Sequence, residues 1–458
     1  MDMINIGYSG ASSAQVQLNV TAQNTANAMT PGYSRQVAMT STIGASSGSM
    51  NSAGNGVQVD SICRVSNQYQ VNQIWYAASD NAYYSTQQTY LTALETVLSD
   101  DNSSLNAGFD NFFAALNDAT TSPDDPALRE QVISSASALT LRVNNTLDYI
   151  SSQSDELINQ EQAMVQQVNT LTTGIASYNQ QIAEAEANGD NASALYDARD
   201  QMVEQLSGIM EVNVTEDDAG NYDVTLKNGQ PLVSGQNSST IALQQNDDGT
   251  QSMTLTFAGT TSSMTTDTGG SLGALFDYQN KVLTPLTETI NSIAEQFADA
   301  VNGQLEQGYD LNGNPGTDLF IYDPTSADGP LEVNPDITED ELAFSSDPNA
   351  SGNSDNLSAL IAISTEPLDI ANLGSMTVGD ACSAIISDIG IYSQQNQTEA
   401  EAAANVYSEA ENQWSSTSGV SMDEEAVNLI TYTQVYQANL KVISTGADIF
   451  DSVLDMVG

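Results

Sequence analysis

The sequence predicts a mainly α protein with a β insertion, an α+β fold in which a long helical rod is built from the N- and C-terminal parts and a small β subdomain sits mid-chain. Three observations predict it. Apolar residues recur at alternating steps of three and four near both ends, the same period runs through a long central stretch, and a block of short alternating runs broken by turn residues lies between helical segments.

At the N-terminus Ile4, Tyr8, Ala11, Gln15, Leu18, Ala22 and Thr25 keep the helical step, and neither Pro nor Gly occurs between Gly10 and Pro31. Thr30, Pro31, Gly32 and Tyr33 then stop the helix. Proline has no amide proton with which to continue it, and Pro31-Gly32 suits the central pair of a type II turn. The C-terminus carries a stronger seam, Ala426, Leu429, Thr433, Tyr436, Leu440, Ile443, Ala447, Phe450, Leu454 and Val457, preceded by the acids Asp423, Glu424 and Glu425. Acids suit a helix N-terminus. From Ala426 to Ala447 the only charged residue is Lys441, so this helix is nearly uncharged on every face.

Between 129 and 185 one register persists through Ile133, Ala136, Val143, Leu147, Ile150, Leu157, Met164, Val168, Leu171, Ile175, Tyr178, Ile182 and Ala185. Arg129, Thr140, Ser154 and Glu161 interrupt it. One very long helix, or two in line, is expected, reaching about 85 Å at ~1.5 Å per residue. "ANGDNAS" (187–193) turns the chain into a shorter helix, "LYDARDQMVEQLSGIM".

"MEVNVTE", "YDVTLK", "PLVSG", "TIALQQ" and "SMTLTFA" follow as strands, separated by "DDAGN", "NG" and "NDDGT". Asn228-Gly229 is a hairpin signal. Helical period resumes from Leu272 through Phe276, Leu283, Leu286, Ile290, Ile293, Phe297 and Val301, with Pro285 expected to kink that helix or begin a second one. Residues 308–375 hold six of the eleven prolines, which predicts loops with a few short strands. The expected division is 1–32 with 422–458 as a terminal coiled coil; 33–210, 269–308 and 376–421 as a long helical domain; 211–268 as a β subdomain; and 309–375 as a loop-rich segment.

Charge narrows the function classes. Acids number 59 against 8 bases, a net of −51, and histidine is absent. Phosphate is repelled by such a chain, so nucleic acid and anionic membrane are not expected as partners. The first 80 residues hold three acids and two arginines, so the excess lies further along, and a nearly neutral end points to a surface that packs against something. No signal-peptide pattern or membrane-length apolar run is read.

Chemistry is sparse. Without histidine a Ser-His-Asp triad and an HExxH zinc site are excluded, and no phosphate-cradling glycine motif occurs. Asp124-Asp125, Asp217-Asp218 and Asp247-Asp248 fall in turn-like stretches and read as surface acids. "DLNGNPGTDLF" offers oxygens at Asp310, Asn312 and Asn314 as a calcium loop does, but Pro315 and Ile321 stand where an EF-hand needs Gly and Glu. A structural turn is expected there. Cys63 and Cys382 form neither a disulfide framework nor a CxxC motif, and no catalytic, cofactor or metal residue is assigned. A secreted acidic adhesin or calcium-dependent surface protein would explain the charge and "DLNGN" but not heptads at both ends, whereas a filament subunit would explain the paired ends.

"INIGYSGASSAQVQLNVTAQNTANAMTPGYSRQ" resembles the N-terminal signature of flagellar rod and hook axial proteins. Its "TPGYSRQ" ending, with "YDARDQMVEQLS", "LKNGQPLVSG", "GGSLGALFDYQNKVL", "AVNGQLEQGYDLNGNPGTDLF" and the tail "GVSMDEEAVNLITYTQVYQANLKVISTGADIFDSVL", is similar to the hook-associated proteins of the hook–filament junction. The likeness spans essentially the whole chain. It implies a non-enzymatic structural subunit of the bacterial flagellum, exported by the flagellar type III route and located at the extracellular hook–filament junction. The implied partners are further copies in a ring, the hook protein, the second junction protein and an export chaperone. It also implies an assembly seam of Ile4, Tyr8, Ala11, Leu18, Ala22, Leu429, Tyr436, Leu440, Ile443, Phe450 and Leu454, with Pro31 and Gly32 marking where the chain leaves the inner tube. Here "NTANAMTPGYSRQ" replaces the family's usual larger apolar opening. Only "IYDPTSADGP" separates Phe320 from Leu331, where larger members of the family carry an outer domain, which implies little or no outermost domain.

Overall fold

A computed structural model describes residues 2–44, 54–100, 104–217, 219–245, 251–326 and 328–457, and 64% of the structure is helical. The order begins α1 (Asp2–Asn27), β1 (Gln36–Thr42), β2 (Val57–Arg64), α2 (Gln68–Leu98), α3 (Leu105–Ala119), α4 (Pro126–Asn188) and α5 (Ser193–Ile209). The β block is β3 (Val212–Glu216), β4 (Tyr222–Leu226), β5 (Pro231–Ser234), β6 (Asn237–Ser238), β7 (Thr240–Gln245), β8 (Gln251–Phe257) and β9 (Thr260–Met264). Then come α6 (Gly270–Tyr278), α7 (Thr284–Leu305), β10 (Phe320–Tyr322), β11 (Leu331–Val333), α8 (Asp355–Ala362), β12 (Leu368–Ile370), β13 (Gly374–Met376), α9 (Val378–Ser418) and α10 (Met422–Val457). The expected turn "NDDGT" and the acids Asp218, Asp247 and Asp248 lie outside the described residues, as does the side chain of Val457.

Two compact units emerge. One comprises Met1–Ala82, Val165–Gly270 and Ala402–Gly458, the other Tyr83–Met164 and Ser271–Glu401. Helices α2, α4 and α9 contribute residues to both.

Helix α4 is one uninterrupted helix of 63 residues. Ala136, Val143, Leu157, Val168, Ile175 and Ile182 are all buried, as their common stripe requires. The positions that broke the apolar pattern are not exposed either. Arg129 is fully buried and donates to the carbonyls of Pro123 (2.6 Å), Glu339 (2.9 Å) and Leu342 (2.7 Å), with its guanidinium 4.6 Å over the Phe344 ring. Burial pushes it down to about 10, against the pull of nearby Asp340, Asp124 and Asp310. Glu161 is 1% exposed, and burial pushes its carboxyl up to about 8.

The second unit is cored by a ring cluster, Phe109, Phe112, Phe113, Phe297 and Phe320, with neighbouring centroids 4.9 to 6.0 Å apart. Offset and edge-to-face pairs of this kind add to simple area burial. Between α6 and α7 a π turn covers Gln279–Leu283, and Pro285 falls in the first turn of α7. Proline there forfeits no intrahelical bond, so the helix restarts as its sequence predicts.

In the first unit β3–β4–β5–β6 and β7–β8–β9 form two antiparallel sheets. Two asparagines on α4 hold them. Asn169 both accepts from Ile241 N and donates to Ile241 O at 2.8 Å, and Asn179 donates to the carbonyls of Tyr222 and Gly235 at 2.9 and 2.7 Å. Each amide mimics a strand neighbour, so the β insertion is fastened to the helix by polar pairing that hydrophobic period does not report.

The structure corrects the sequence reading in two places. Residues expected to be helical begin with the antiparallel hairpin β1–β2, with Gln36 opposite Arg64 and an irregularity at Met39/Thr40. β-branched residues at alternate positions, as in "VAMTST" and "VQVDSI", carry that preference. Within 308–375 the segment "DNLSALIA" forms helix α8, burying Leu357 and Leu360, where only loops and strands were expected. The loop "DLNGN" is the predicted structural turn. Asp310 accepts from the amides of Asn312 (2.8 Å) and Asn314 (2.7 Å) and from the Asn314 side chain (3.0 Å). Burial acts to raise its carboxyl, but these hydrogen bonds hold it below the ordinary range.

Candidate assembly interface and hinge

Helix α10 packs along α1 in the first unit, and glycine sets their separation. A Cβ placed on Gly7 would lie 2.9 Å from Ile443 Cγ1, on Gly10 2.3 Å from Asn439 Oδ1, and on Gly446 2.9 Å from Ile4 Cγ1. Any larger side chain would force the helices apart. This close approach divides the sequence-predicted seam. Ala11 is buried; Ile4, Leu18, Tyr436 and Ile443 are half-buried; Tyr8, Ala22, Leu429, Leu440, Phe450 and Leu454 are exposed. Val427, Ile430, Ile449, Val453 and Met456 are exposed beside them, so the outward side of α10 is a long apolar surface. Water on that much apolar area is costly, at about 25 cal/mol per Å².

The hinge starts at Thr30. Tyr33 N donates to Thr30 O at 3.2 Å and Gly32 has φ +71°, the left-handed conformation that the third residue of a type II turn needs. Pro31 O accepts from the Gln201 side chain of α5, and a Cβ on Gly32 would collide with that side chain at 2.2 Å. Pro31 itself is exposed.

After the turn, buried polar groups lock the chain in place. Asn24, 1% exposed, accepts from Gln36 N and donates to Gln36 O, both at 2.9 Å, while the Tyr33 hydroxyl donates to Asn24 Oδ1 at 2.9 Å. Ser34 N donates to Asp197 Oδ2 at 3.1 Å. Arg64 at the end of β2 pairs with Asp197 (3.3 Å) and Asp200 of α5. Burial raises the Asp197 carboxyl while Ser34 and Arg64 oppose it, and burial, with Asp197 and Glu425 nearby, pushes the Tyr33 phenol up to about 12. Arg35 pairs with Glu424 (2.9 Å) and the buried Glu425 (3.0 Å) at the start of α10, and Arg35 N donates to Ser418 O (2.8 Å) at the end of α9.

On α5 itself Arg199 is fully buried, donating to Asn179 Oδ1 and Gly220 O at 2.8 Å and lying 3.4 Å over the Tyr222 ring. Three of the chain's five arginines thus serve the two segments "TPGYSR" and "YDARD". The sequence reading named Pro31 and Gly32 but missed Asn24, Arg35, Arg64, Asp197 and Glu425. The signal for the charged ones was scarcity, since in so acidic a chain Arg35 and Arg64 are each paired with two carboxylates.

Reactive groups are not gathered here. Cys63 is exposed, Cys382 is buried with its thiol pushed up to about 12, and both are free. No metal-binding cluster and no helix long and apolar enough to cross a membrane occur among the described residues.

Residues 91–320 match the family model of the flagellar hook-associated protein FlgK helical domain, and residues 411–456 match the flagellar basal body rod FlgEFG protein C-terminal model. The chain is 27% identical to flagellar hook-associated protein 1 of Salmonella typhimurium over 553 aligned positions, covering 99% of each. It is 26% identical to the protein of that name from Bacillus subtilis, covering 98% of this chain and 96% of that one. The solved flagellar hook junction protein FlgK from Burkholderia pseudomallei shares the fold, with a TM-score of 0.68 at 17% identity over 76% of this chain and all of the other.

Proposed function

Because the chain belongs to the flagellar hook-associated protein family and is a structural component of the hook–filament junction, we propose that it works as an adaptor ring, each copy contributing its α1–α10 pair to a shared inner tube. The observation that carries this reading is the apolar outward side of α10. Leu429, Leu440, Phe450 and Leu454, from 44 to 54% exposed, keep coiled-coil spacing with nothing among the described residues to cover them. Neighbouring copies would bury them and complete the seam with Tyr8 and Ala22. On this reading 1–32 with 422–458 form the tube part, the Pro31-Gly32 turn carries the chain to the next radial layer, and the Arg64 and Arg35 pairs set the angle at which it leaves.

The partners follow from position. The ring binds the hook protein below and the second junction protein above, after export with a chaperone by the flagellar type III route to the cell exterior. Its work is geometric, with no reaction assigned.

Deletion of the gene should leave cells with hooks but without filaments while flagellin accumulates in the medium. Electron microscopy showing filaments of normal length on such cells would sink the reading.

A further inference from the structure

A cavity of about 500 Å³ opens in the first unit, lined by residues of α2, α5 and α9 beside the Pro31-Gly32 turn. Both tryptophans of the chain, Trp75 and Trp414, line it together with Tyr407, Asp200, Glu204 and Glu411. It is a recess open to solvent on one side and not an interior void.

The charges in it do not balance. Asp200 is answered by Arg64, but Glu204 has only the Tyr407 hydroxyl, which donates at 2.7 Å. No ion pair to Glu204 or Glu411 is present among the described residues. Glu204 is half-buried, and burial raises its carboxyl against the Tyr407 hydrogen bond, with the neighbouring Glu411 and Asp200 adding to the rise. A neutral ligand would not relieve that, and an anion would worsen it. Aromatic walls beside the half-buried Glu204 and the exposed Glu411, neither with a basic partner among the described residues, suit a cation on an apolar stem, the stem against indole and the charge beside carboxylate oxygens.

We propose that this cavity receives a guanidinium or ammonium group on an aliphatic stem, and that in the flagellum the group is an arginine or lysine side chain of a neighbouring axial subunit of another kind. The second half rests on the junction reading given above. Of this chain's own bases only Lys227, Lys281 and Lys441 are exposed, and the first two already pair with Glu211 and Asp277. Seven of its eight bases are held by oxygens of the same chain. Lys441 is the one base without an oxygen partner among the described residues, and it stands on the exposed side of α10.

The two tryptophans report on the cavity directly. Titrating the full-length protein with agmatine, a guanidinium on a four-carbon stem, should change tryptophan emission saturably, whereas n-butanol should not. In the near-isosteric Glu204→Gln/Glu411→Gln double variant, shown folded by circular dichroism, affinity should fall at least about tenfold. Absence of saturation in the parent, or equal affinity in the double variant, overturns the site.

For the source, protein labelled with 5-hydroxytryptophan is bound to unlabelled hooks and titrated again. A filled cavity should no longer respond to agmatine. A persisting response overturns the side-chain source in favour of a free cation. Silence that is lost in Lys441→Gln reassigns the side chain to a second copy of this chain. Agmatine binding by a monomer that never attaches to hooks would sink the junction reading and leave the cavity assignment standing.

Discussion

Helices α4 and α10 are both written in apolar residues at alternating steps of three and four, yet Leu157, Val168 and Ile175 of α4 are wholly buried while Leu429, Phe450 and Leu454 of α10 are about half exposed. Period alone does not separate them. What differs is what each meets. In the second unit α4 as far as Leu157 lies within a core that includes α3, α7 and the phenylalanine cluster, while Val168 and Ile175 are buried in the first unit. Helix α10 packs chiefly on α1, through a face of glycine, alanine and asparagine that is narrow enough to leave most of its apolar residues outside. The same pattern thus builds a self-sufficient core in one place and a surface awaiting neighbours in another.

Substitution should break this comparison most sharply at matched positions. Leu157→Asp places a charge in a closed core and should cost at least about 4 kcal/mol, enough to lose the cooperative thermal transition of the second unit. Leu440→Asp should shift monomer stability by less than about 0.5 kcal/mol, as surface changes do. It should still abolish attachment to hooks in a sedimentation assay. Equal loss of monomer stability in both variants would mean that α10 is already packed within the single chain.

The hinge ranks next. Arg64→Gln leaves Asp197 buried without its ion-pair partner and should cost about 3 kcal/mol. It should also weaken hook attachment beyond what that loss explains, because the angle between the terminal pair and α5 is released. Arg35→Gln, whose guanidinium is a quarter exposed, should cost less, about 1 kcal/mol. Guanidinium denaturation of both variants beside the parent would check the order.

Glu161 sharpens the contrast from the α4 side, because it is an ionisable group buried in that helix, whereas the 426–447 stretch of α10 carries Lys441 as its one charge. Its carboxyl is held up at about 8 in the folded chain against an ordinary value of 4.5. Between those limits the folded state binds the extra proton. Stability from this group is therefore fully present below about pH 4.5 and is lost as pH rises through about 8. Glu161→Gln should flatten that slope and stabilise the protein by at least about 1 kcal/mol at pH 8.5. An unchanged pH profile of melting temperature would place the proton elsewhere.

The smallest effect on the fold itself is expected from salt. Screening length grows from about 8 Å at 0.15 M to about 30 Å near 0.01 M, so acidic bodies held side by side repel strongly once salt is removed. Hook attachment should fall at low ionic strength with sodium and potassium equivalent, while the circular dichroism of the monomer stays constant. Attachment indifferent to salt would show that the uncharged terminal faces decide assembly alone.

Much of this was legible from local terms. The length of α4, the strands around Asn228-Gly229, the stop at Pro31-Gly32 and the helix restart at Pro285 depend on residues within a turn or two of each other, where period, missing amide protons and glycine conformation act directly. By itself the sequence also placed apolar seams at both ends and left no histidine for catalysis. Only the tertiary structure decided which half of each seam is covered, that Arg35 reaches Glu425 across 390 positions, that Asn169 and Asn179 act as strand neighbours, and that Trp75 and Trp414 share one cavity. Those pairings depend on which distant elements pack together and how closely their backbones approach, and a periodic pattern specifies that a face is apolar without specifying what will lie against it.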